Sequence, residues 1–310
     1  MSITLIPYGT KIDFVRLRFF GFSVTILLML ITIGGLVVNG LNLGIDFKGG
    51  ILVEARAAQA VDMGALRSKL EGLNMGPVEL QQFGTDKDVL IRLQRQPGAE
   101  AEQNASVAKL RESLGADYEY RRVEMVGPRV GDELFTGGMI AIGLALLGIG
   151  IYVATRFEWQ FGVAALVATF HDVLVTLGLY SITGLEFNLT AVAALLTLAG
   201  FSVNDTVVVF DRMREIMRRQ RTNDMTKVIN DSVNQTLSRT VMTSGTVLVA
   251  MLPLLFFGGS TLINFTAAMT WGVLVGTFSS IYVAGSLLLY MKPMHLQTKG
   301  QQAAPSGKEA

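Results

Sequence analysis

The chain has 310 residues, half of them hydrophobic and only 16% charged, with a formal net charge of +1. This composition excludes an ordinary soluble globular protein and is typical of a polytopic membrane protein. Because the sequence contains no cysteine, disulfides, thiolate metal sites and cysteine nucleophiles are excluded. The near-zero net charge gives no reason to expect a nucleic-acid partner.

Six apolar stretches are long enough to cross a bilayer, since about 20 helical residues span the hydrocarbon core. Backbone groups in lipid must be satisfied within the segment, so each stretch is expected to be a helix. The predicted spans are residues 17–38, 134–155, 160–182, 188–210, 240–258 and 264–291. The first is too long for a secretory signal and lacks a cleavage site, which favours a retained anchor. Residues 292–310 are polar and predicted to be disordered.

The positions of lysine and arginine predict the orientation of the spans. Arg156 lies between the second and third spans, whereas residues 183–187 and 259–263 contain no basic residue. Six more basic residues lie between the fourth and fifth spans: Arg212, Arg214, Arg218, Arg219, Arg221 and Lys227. Because basic connections stay on the cytoplasmic side, both termini, including residues 1–16, are expected in the cytoplasm. Residues 40–133 are then expected outside the cell membrane.

Residues 40–133 are predicted to form a folded domain. Strand-like patterns at 51–57, 78–83, 89–94 and 118–125 alternate with helix-like patterns at 63–72 and 99–114, with Gly76, Pro77 and Gly84 marking turns. The order strand, helix, strand, strand, helix, strand is typical of a ferredoxin-like α+β layer. The predicted fold class is therefore an α-helical polytopic membrane protein, with six transmembrane helices and an inserted α+β ferredoxin-like domain.

Asp205 is the most informative single residue, because it lies inside an apolar stretch that crosses the bilayer. An ionised side chain at the centre of a span costs about 2.5–3.5 kcal/mol, so such residues usually have a partner and a function. Arg239 lies at the start of the fifth span. Asp205 is therefore a candidate proton acceptor, and the alternative is a static ion pair that joins two helices. Burial disfavours the ionised form of Asp205, whereas a nearby Arg239 favours it, and the sequence does not decide which effect is larger.

Further polar residues share helix faces with these groups. Thr169 and Thr176 have the spacing that places them beside Asp172, and Thr243 follows Arg239 by one turn. Hydroxyl groups beside an ionisable residue suit a hydrated proton path, although a purely structural polar patch is the alternative for Asp172. The predicted proton pathway comprises Asp205, Arg239, Asp172, His171, Asn204 and Thr243.

The sequence lacks a Walker A loop and the helix motif of zinc proteases, so we expect no ATP site, metal, cofactor or enzymatic activity. The energy source would then be an ion gradient, which supplies about 2.3 kcal/mol per charge through 100 mV. The small residues Gly272 and Gly276 indicate close helix packing, either within one bundle or against a partner.

Several motifs in order resemble the bacterial SecD/SecF family of protein translocase subunits, and SecF in particular. They are residues 43–50 (Leu-Gly-Ile-Asp-Phe-Lys-Gly-Gly), 156–159, 168–172, 204–212 and 237–246. The family motif after the first span is carried by Gly44, Asp46, Phe47, Gly49 and Gly50. Lys48 departs from the threonine often found at its position.

This resemblance implies a fold of the resistance-nodulation-division type and a location in the bacterial inner membrane. It implies that the chain works with SecD and uses the proton motive force to promote protein export. The implied partners are SecD, the Sec channel with its small membrane subunits, exported preproteins and membrane lipids. A carboxylate on the fourth span and an arginine at the start of the fifth serve proton passage in that family, and these positions correspond to Asp205 and Arg239.

Two other functions fit parts of the sequence. A proton-coupled small-molecule exporter of the same superfamily would typically carry two six-helix halves and large outer domains, whereas this chain has one half and a small domain. A purely structural scaffold of the translocase would predict that Asp205→Asn has no effect on export.

Overall fold

A computed structural model describes residues 10–73, 75, 78–82, 84–93, 100–115, 117–220 and 224–291. The predictions for residues 1–9, Gly76, Pro77 and the tail at 292–310 lie outside these residues. The elements, in chain order, are α1 (Arg18–Val38), α2 (Ile45–Lys48), β1 (Gly50–Ala57), α3 (Met63–Glu71), β2 (Val78–Gln82), β3 (Asp88–Leu93), α4 (Glu100–Leu114), β4 (Tyr118–Val126), α5 (Pro128–Arg156), α6 (Trp159–Thr183), α7 (Leu189–Gln220), α8 (Met225–Phe257), α9 (Gly259–Ser279), a π-helix (Ser280–Ala284) and α10 (Gly285–Met291).

Elements β1 to β4 with α3 and α4 form the α+β domain. Its four strands are antiparallel in the order β2-β3-β1-β4, which confirms the predicted ferredoxin-like arrangement. Alternate side chains of β1 and β3, such as Ile51, Val53 and Ile91, are buried against Leu70 and Leu110 of the two helices. Gly50 at the start of β1 lies beside Leu93 and Val126 at the ends of β3 and β4, because β3 and β4 run antiparallel to β1.

In the part of the chain that the structure describes, six helical segments are long and apolar enough to cross a membrane, as predicted. Three of them form the centre of the bundle: the apolar windows of α6, α7 and the segment from α9 to α10 are 61%, 50% and 67% buried. The windows of α1, α5 and α8 are only 11%, 17% and 11% buried. The flanking helices therefore present apolar side chains, among them Val249 and Phe256 of α8, to the bundle's surroundings.

Helices α7 and α8 extend beyond the predicted spans. The sequence-based prediction placed residues 211–239 between spans, but α7 continues to Gln220 and α8 already begins at Met225. The reason is that a search for apolar stretches finds only the part of a helix that crosses the hydrocarbon. Helix α7 continues beyond that part as an amphipathic segment, in which Met213 and Ile216 are buried. Arg239 consequently lies within α8 and not at its start.

The last span contains an irregularity that the sequence does not predict. Five residues, Ser280–Ala284, form a π-helix between α9 and α10, and such segments occur frequently at functional sites. Gly272 and Gly276 of α9 pack closely within the bundle: a Cβ atom at Gly272 would collide with Leu198, and one at Gly276 would lie 3.4 Å from the Ser202 Cβ. Of the two alternatives, these glycines therefore support packing within the bundle.

Candidate functional site

Asp172 of α6 is the centre of a buried polar cluster. Its Oδ2 accepts hydrogen bonds from the hydroxyl groups of Ser202 on α7, at 2.5 Å, and Ser279 on α9, at 2.6 Å. The His171 Nδ1 lies 2.9 Å from its Oδ1. All four side chains are buried, with Asp172 and Ser279 at 0% exposure. Because two hydroxyl donors converge on one carboxylate oxygen, the arrangement suits an anion held without direct contact with water.

Asp205 lies one helical turn beyond Ser202 on α7 and is also buried, with 2% of its surface exposed. Its Oδ1 accepts a hydrogen bond from the Thr243 hydroxyl of α8 at 3.2 Å. Its Oδ2 is buried without a hydrogen-bond partner among the described residues. Asp205 therefore has one carboxylate oxygen that is available to take up a proton or a bridging water molecule.

The structure brings some predicted pathway residues together and leaves others apart. Asp172, His171, Asp205 and Thr243 lie inside the bundle. Arg239 has an exposed side chain, and among the described residues no ion pair joins it to Asp205. A static Asp205–Arg239 pair is therefore not the arrangement observed. Arg239 precedes Thr243 by four residues, which places it about 6 Å along the helix axis from the hydroxyl that contacts Asp205.

Asn204 also lies apart from the cluster, because its side chain is exposed and points about 100° around the axis of α7 from that of buried Asp205. The threonines beside Asp172 differ in their contacts. Thr176 donates to the Asp172 carbonyl oxygen at 2.7 Å, whereas the buried Thr169 hydroxyl has no partner among the residues described.

Several hydroxyl groups of this region were not predicted. Ser279 completes the cluster around Asp172, the Thr206 and Ser280 hydroxyls lie 3.1 Å apart, and those of Ser244 and Thr277 lie 2.6 Å apart. The consecutive serines at 279 and 280 inside an apolar span are the signal that could have identified them. The Ser280 hydroxyl donates to the Gly276 carbonyl at 2.8 Å, next to the start of the π-helix. Hydroxyl groups thus connect α6, α7, α8 and the last span at one level of the bundle.

The segment that carries the predicted family motif joins the α+β domain to the bundle. Gly49 and Gly50 have φ values of 71° and 129°, which side-chain-bearing residues rarely adopt, and they turn the chain from α2 into β1. The Asp46 Oδ2 accepts a hydrogen bond from the Leu189 backbone N–H at 2.9 Å, at the start of α7. Phe47 is buried and packs against Phe187.

Gly44 of this segment touches the connection between α6 and α7. Its N–H donates to the Phe187 carbonyl at 2.9 Å, and a Cβ atom at this position would collide with the Glu186 carboxylate. Phe187 in turn donates its N–H to the Asn42 carbonyl at 2.8 Å. A side chain at position 44 would therefore force the Glu186 carboxylate to move. Among the described residues, no group of three or more histidine, aspartate or glutamate side chains is arranged to hold a metal ion.

Comparison with known proteins places this geometry in a family. A family model described as "Protein export membrane protein SecD/SecF, C-terminal" matches residues 106–294, and the "SecD/SecF GG Motif" matches residues 34–61. The chain is 40% identical over 288 residues to the protein translocase subunit SecF of Rickettsia prowazekii, covering 92% of this chain and 93% of that protein. It is 41% identical over 293 residues to SecF of Desulfurispirillum indicum, with 92% and 93% coverage.

Solved structures agree with these sequence relatives. The crystal structure of SecDF from Thermus thermophilus, described as a translocon-associated membrane protein, superposes with a TM-score of 0.82 at 37% identity. That match covers 94% of this chain but only 40% of the solved chain. A second structure, of SecDF in a super-membrane-facing form, gives a TM-score of 0.68 at 36% identity, with 97% and 41% coverage.

Proposed function

The chain belongs to the SecD/SecF family of protein export membrane proteins, and on that premise we propose its function. It is a SecF-type subunit of the protein translocase that works with SecD and uses the proton motive force to promote protein export across the bacterial inner membrane. The chain aligns with nearly the full length of relatives named protein translocase subunit SecF, and this supports the proposed function over a small-molecule exporter.

The observation that carries the proton-coupled part is the buried arrangement of Asp205 and Asp172. Two carboxyl groups lie in the centre of a bundle of apolar helices, and Ser202 hydrogen-bonds Asp172 while sharing a helix face with Asp205. Carboxyl groups are rarely kept in such an environment without a function, because their ionised form is costly there. The proton relay proposed here comprises Asp205, Thr243, Ser202, Asp172 and His171.

In this mechanism Asp205 accepts the proton at its unpartnered Oδ2. A change of its charge alters the contact with Thr243 on α8, and with it the packing of α7 against α8 and α9. Arg239 is placed one turn from Thr243, on a helix face that the described residues leave exposed. We propose that this face meets SecD, and that Arg239 approaches Asp205 in a different state of the assembled complex.

The orientation follows from the basic residues at one end of the bundle. Arg156 and the arginines at the end of α7 form one strongly basic end, which we assign to the cytoplasm. Both termini then lie in the cytoplasm and the α+β domain lies in the periplasm, where the emerging preprotein and the outer parts of SecD would be its contacts. The Sec channel with its small subunits and the membrane lipids are the remaining proposed partners.

The proposal is tested by replacing Asp205 with asparagine and measuring export of a secreted precursor in cells that lack the native copy. Asp205→Asn is expected to reduce export to the level of cells without the protein, and to abolish proton flux in membranes reconstituted with SecD. The matched control is Asp211→Asn, which removes an exposed carboxylate from the same helix. Unimpaired export in Asp205→Asn at normal protein level would instead support a structural scaffold.

A further inference from the structure

A partly buried ion pair joins the α+β domain to the bundle. Arg92, near the end of β3, contacts the carboxylate of Glu186 in the connection between α6 and α7, 94 positions away in the sequence. Their side chains are only 13% and 14% exposed. Glu79 of β2 lies farther from Arg92, at 3.7 Å, and is 59% exposed. Arg92 therefore has two glutamate neighbours, one within its own domain and one on the bundle.

The position of this pair follows from the topology of the sheet. The chain enters the domain at Gly49–Gly50, before β1, and leaves it at Gly127, after β4. Strand β3 lies on the side of β1 that is away from β4, and Arg92 pairs with Leu52 near the membrane-proximal strand ends. Arg92 therefore lies away from the two connections, at Gly49–Gly50 and Gly127, that join the domain to the bundle. A rotation of the domain about these connections would separate Arg92 from Glu186.

The connection that carries Glu186 directly joins the two helices that carry the aspartates of the proposed proton relay. It is the five-residue link between α6, which carries Asp172, and α7, which carries Asp205. The link is tied to residues 42–46 by backbone bonds of Gly44 and Phe187 and by the bond from Leu189 to Asp46. A shift of α6 against α7 is thereby passed to Glu186 over a short, hydrogen-bonded path.

We propose that Arg92 and Glu186 form a charge latch, which holds the α+β domain docked on the α6–α7 connection and transmits movement of the proton-relay helices to that domain. Both residues are positioning residues and do not belong to the relay. This inference rests on the proposed function, because it supplies the link between a proton event in the bundle and movement of the domain.

The attraction between Arg92 and Glu186 is opposed by the cost of burying the carboxylate. Burial raises the pKa of Glu186, since loss of water outweighs the attraction of Arg92, and Asp46 of α2 raises it further. Charged groups near the pair include Arg92 from β3, Asp46 and Lys48 from α2 and, at the outer side of Arg92, Glu79 from β2. Because the cost of burial offsets part of the attraction, the pair contributes only a modest net strength to docking.

The test measures the distance between domain and bundle in the complete complex with SecD. The chain has no native cysteine, so spin labels are attached to cysteines introduced at the exposed positions Ser68 of α3 and Thr183 of α6. Distances are recorded by pulsed electron paramagnetic resonance in lipid nanodiscs. Glu186→Arg or Arg92→Glu is expected to raise the ratio of undocked to docked complexes about tenfold or more, because like charges then meet in a partly buried site.

The matched control is Glu79→Arg, which places the same charge beside Arg92 but within the domain, and it is expected to leave the distance distribution unchanged. The double variant Arg92→Glu/Glu186→Arg restores the opposite charges and is expected to restore docking, which also separates latch opening from misfolding. A distribution that is the same in wild type and both single reversals would overturn the latch. That result would leave the proton-driven function intact, because export in Asp205→Asn is measured independently of docking.

Discussion

The charge of Asp172 in the resting bundle can be read from its coupling to Ser202. The Ser202 hydroxyl donates to the Asp172 Oδ2 at 2.5 Å and has no second acceptor among its described contacts. A hydrogen bond to a charged acceptor contributes about 1.5–3 kcal/mol, whereas side-chain hydrogen bonds between membrane helices average about 0.6 kcal/mol. If Asp172 is ionised, replacing it by asparagine should therefore remove about 1–2 kcal/mol of its coupling to Ser202.

The measurement is a double-mutant cycle with Ser202→Ala and Asp172→Asn, followed by reversible unfolding of the purified protein in mixed micelles at fixed pH. The hydroxyl pair of Ser244 and Thr277 supplies the control cycle, since its oxygens lie 2.6 Å apart and neither is charged. Its coupling, measured with Ser244→Ala and Thr277→Val, should stay near 0.6 kcal/mol, about the average for such bonds.

A coupling near zero between Ser202 and Asp172 would refute the reasoning. In that case asparagine would accept the serine hydrogen bond as well as aspartate does, and the acid would be neutral in the resting bundle. The serines would then be helix-packing residues, and the proposed relay would have to depend on Asp205 alone.

Three further predictions concern packing and the α+β domain. Gly272→Ala should lower the free energy of unfolding by about 1–3 kcal/mol through overpacking, whereas Gly143→Ala, which meets no atom within 4 Å, should not lower it. Arg56 holds the pKa of Asp88 below its usual range through two hydrogen bonds of 2.7 and 2.8 Å. Asp88 therefore stabilises the domain at neutral pH, and this contribution should disappear as the pH falls below the ordinary aspartate value, as thermal unfolding of wild type and Asp88→Asn against pH would show. Because the docked state raises the pKa of Glu186, lowering the outer pH toward the ordinary glutamate value should increase the docked fraction in the spin-label experiment, and Glu186→Gln should remove this dependence.

Much of the architecture could be predicted because it depends on local patterns. Apolar stretches of bilayer length identify the spans, and alternating patterns identify the strands and helices between residues 50 and 126. The ends of α7 and α8 could not be predicted in the same way. Beyond the membrane, these helices are stabilised by packing of an amphipathic face against each other, and that contact depends on tertiary structure.

The candidate site was predictable only in part for the same reason. A lone carboxylate in an apolar span, such as Asp205 or Asp172, stands out in the sequence because its cost is local. The partners of these acids depend on how helices face each other, so Ser202 and Ser279 as ligands of Asp172 are visible only in the structure. Arg239 is the converse case. Its position near the end of an apolar stretch suggests an ion pair with Asp205 from the sequence alone, but its side chain is exposed on α8.

The energies of the proposed relay and the proposed latch are comparable, which is what coupling between them requires. One proton moved through 100 mV supplies about 2.3 kcal/mol, and a charge-assisted hydrogen bond such as that between Arg92 and Glu186 contributes about 1.5–3 kcal/mol. The intervening elements can carry such a bias, because Asp205 lies 16 residues, or about 24 Å of rigid helix, from the start of α7. A latch much stronger than this would stay closed through every proton event, and a much weaker one would open without any. If the proposed relay and latch are coupled, one proton would supply a free energy of the size needed to shift the domain between its docked and undocked states.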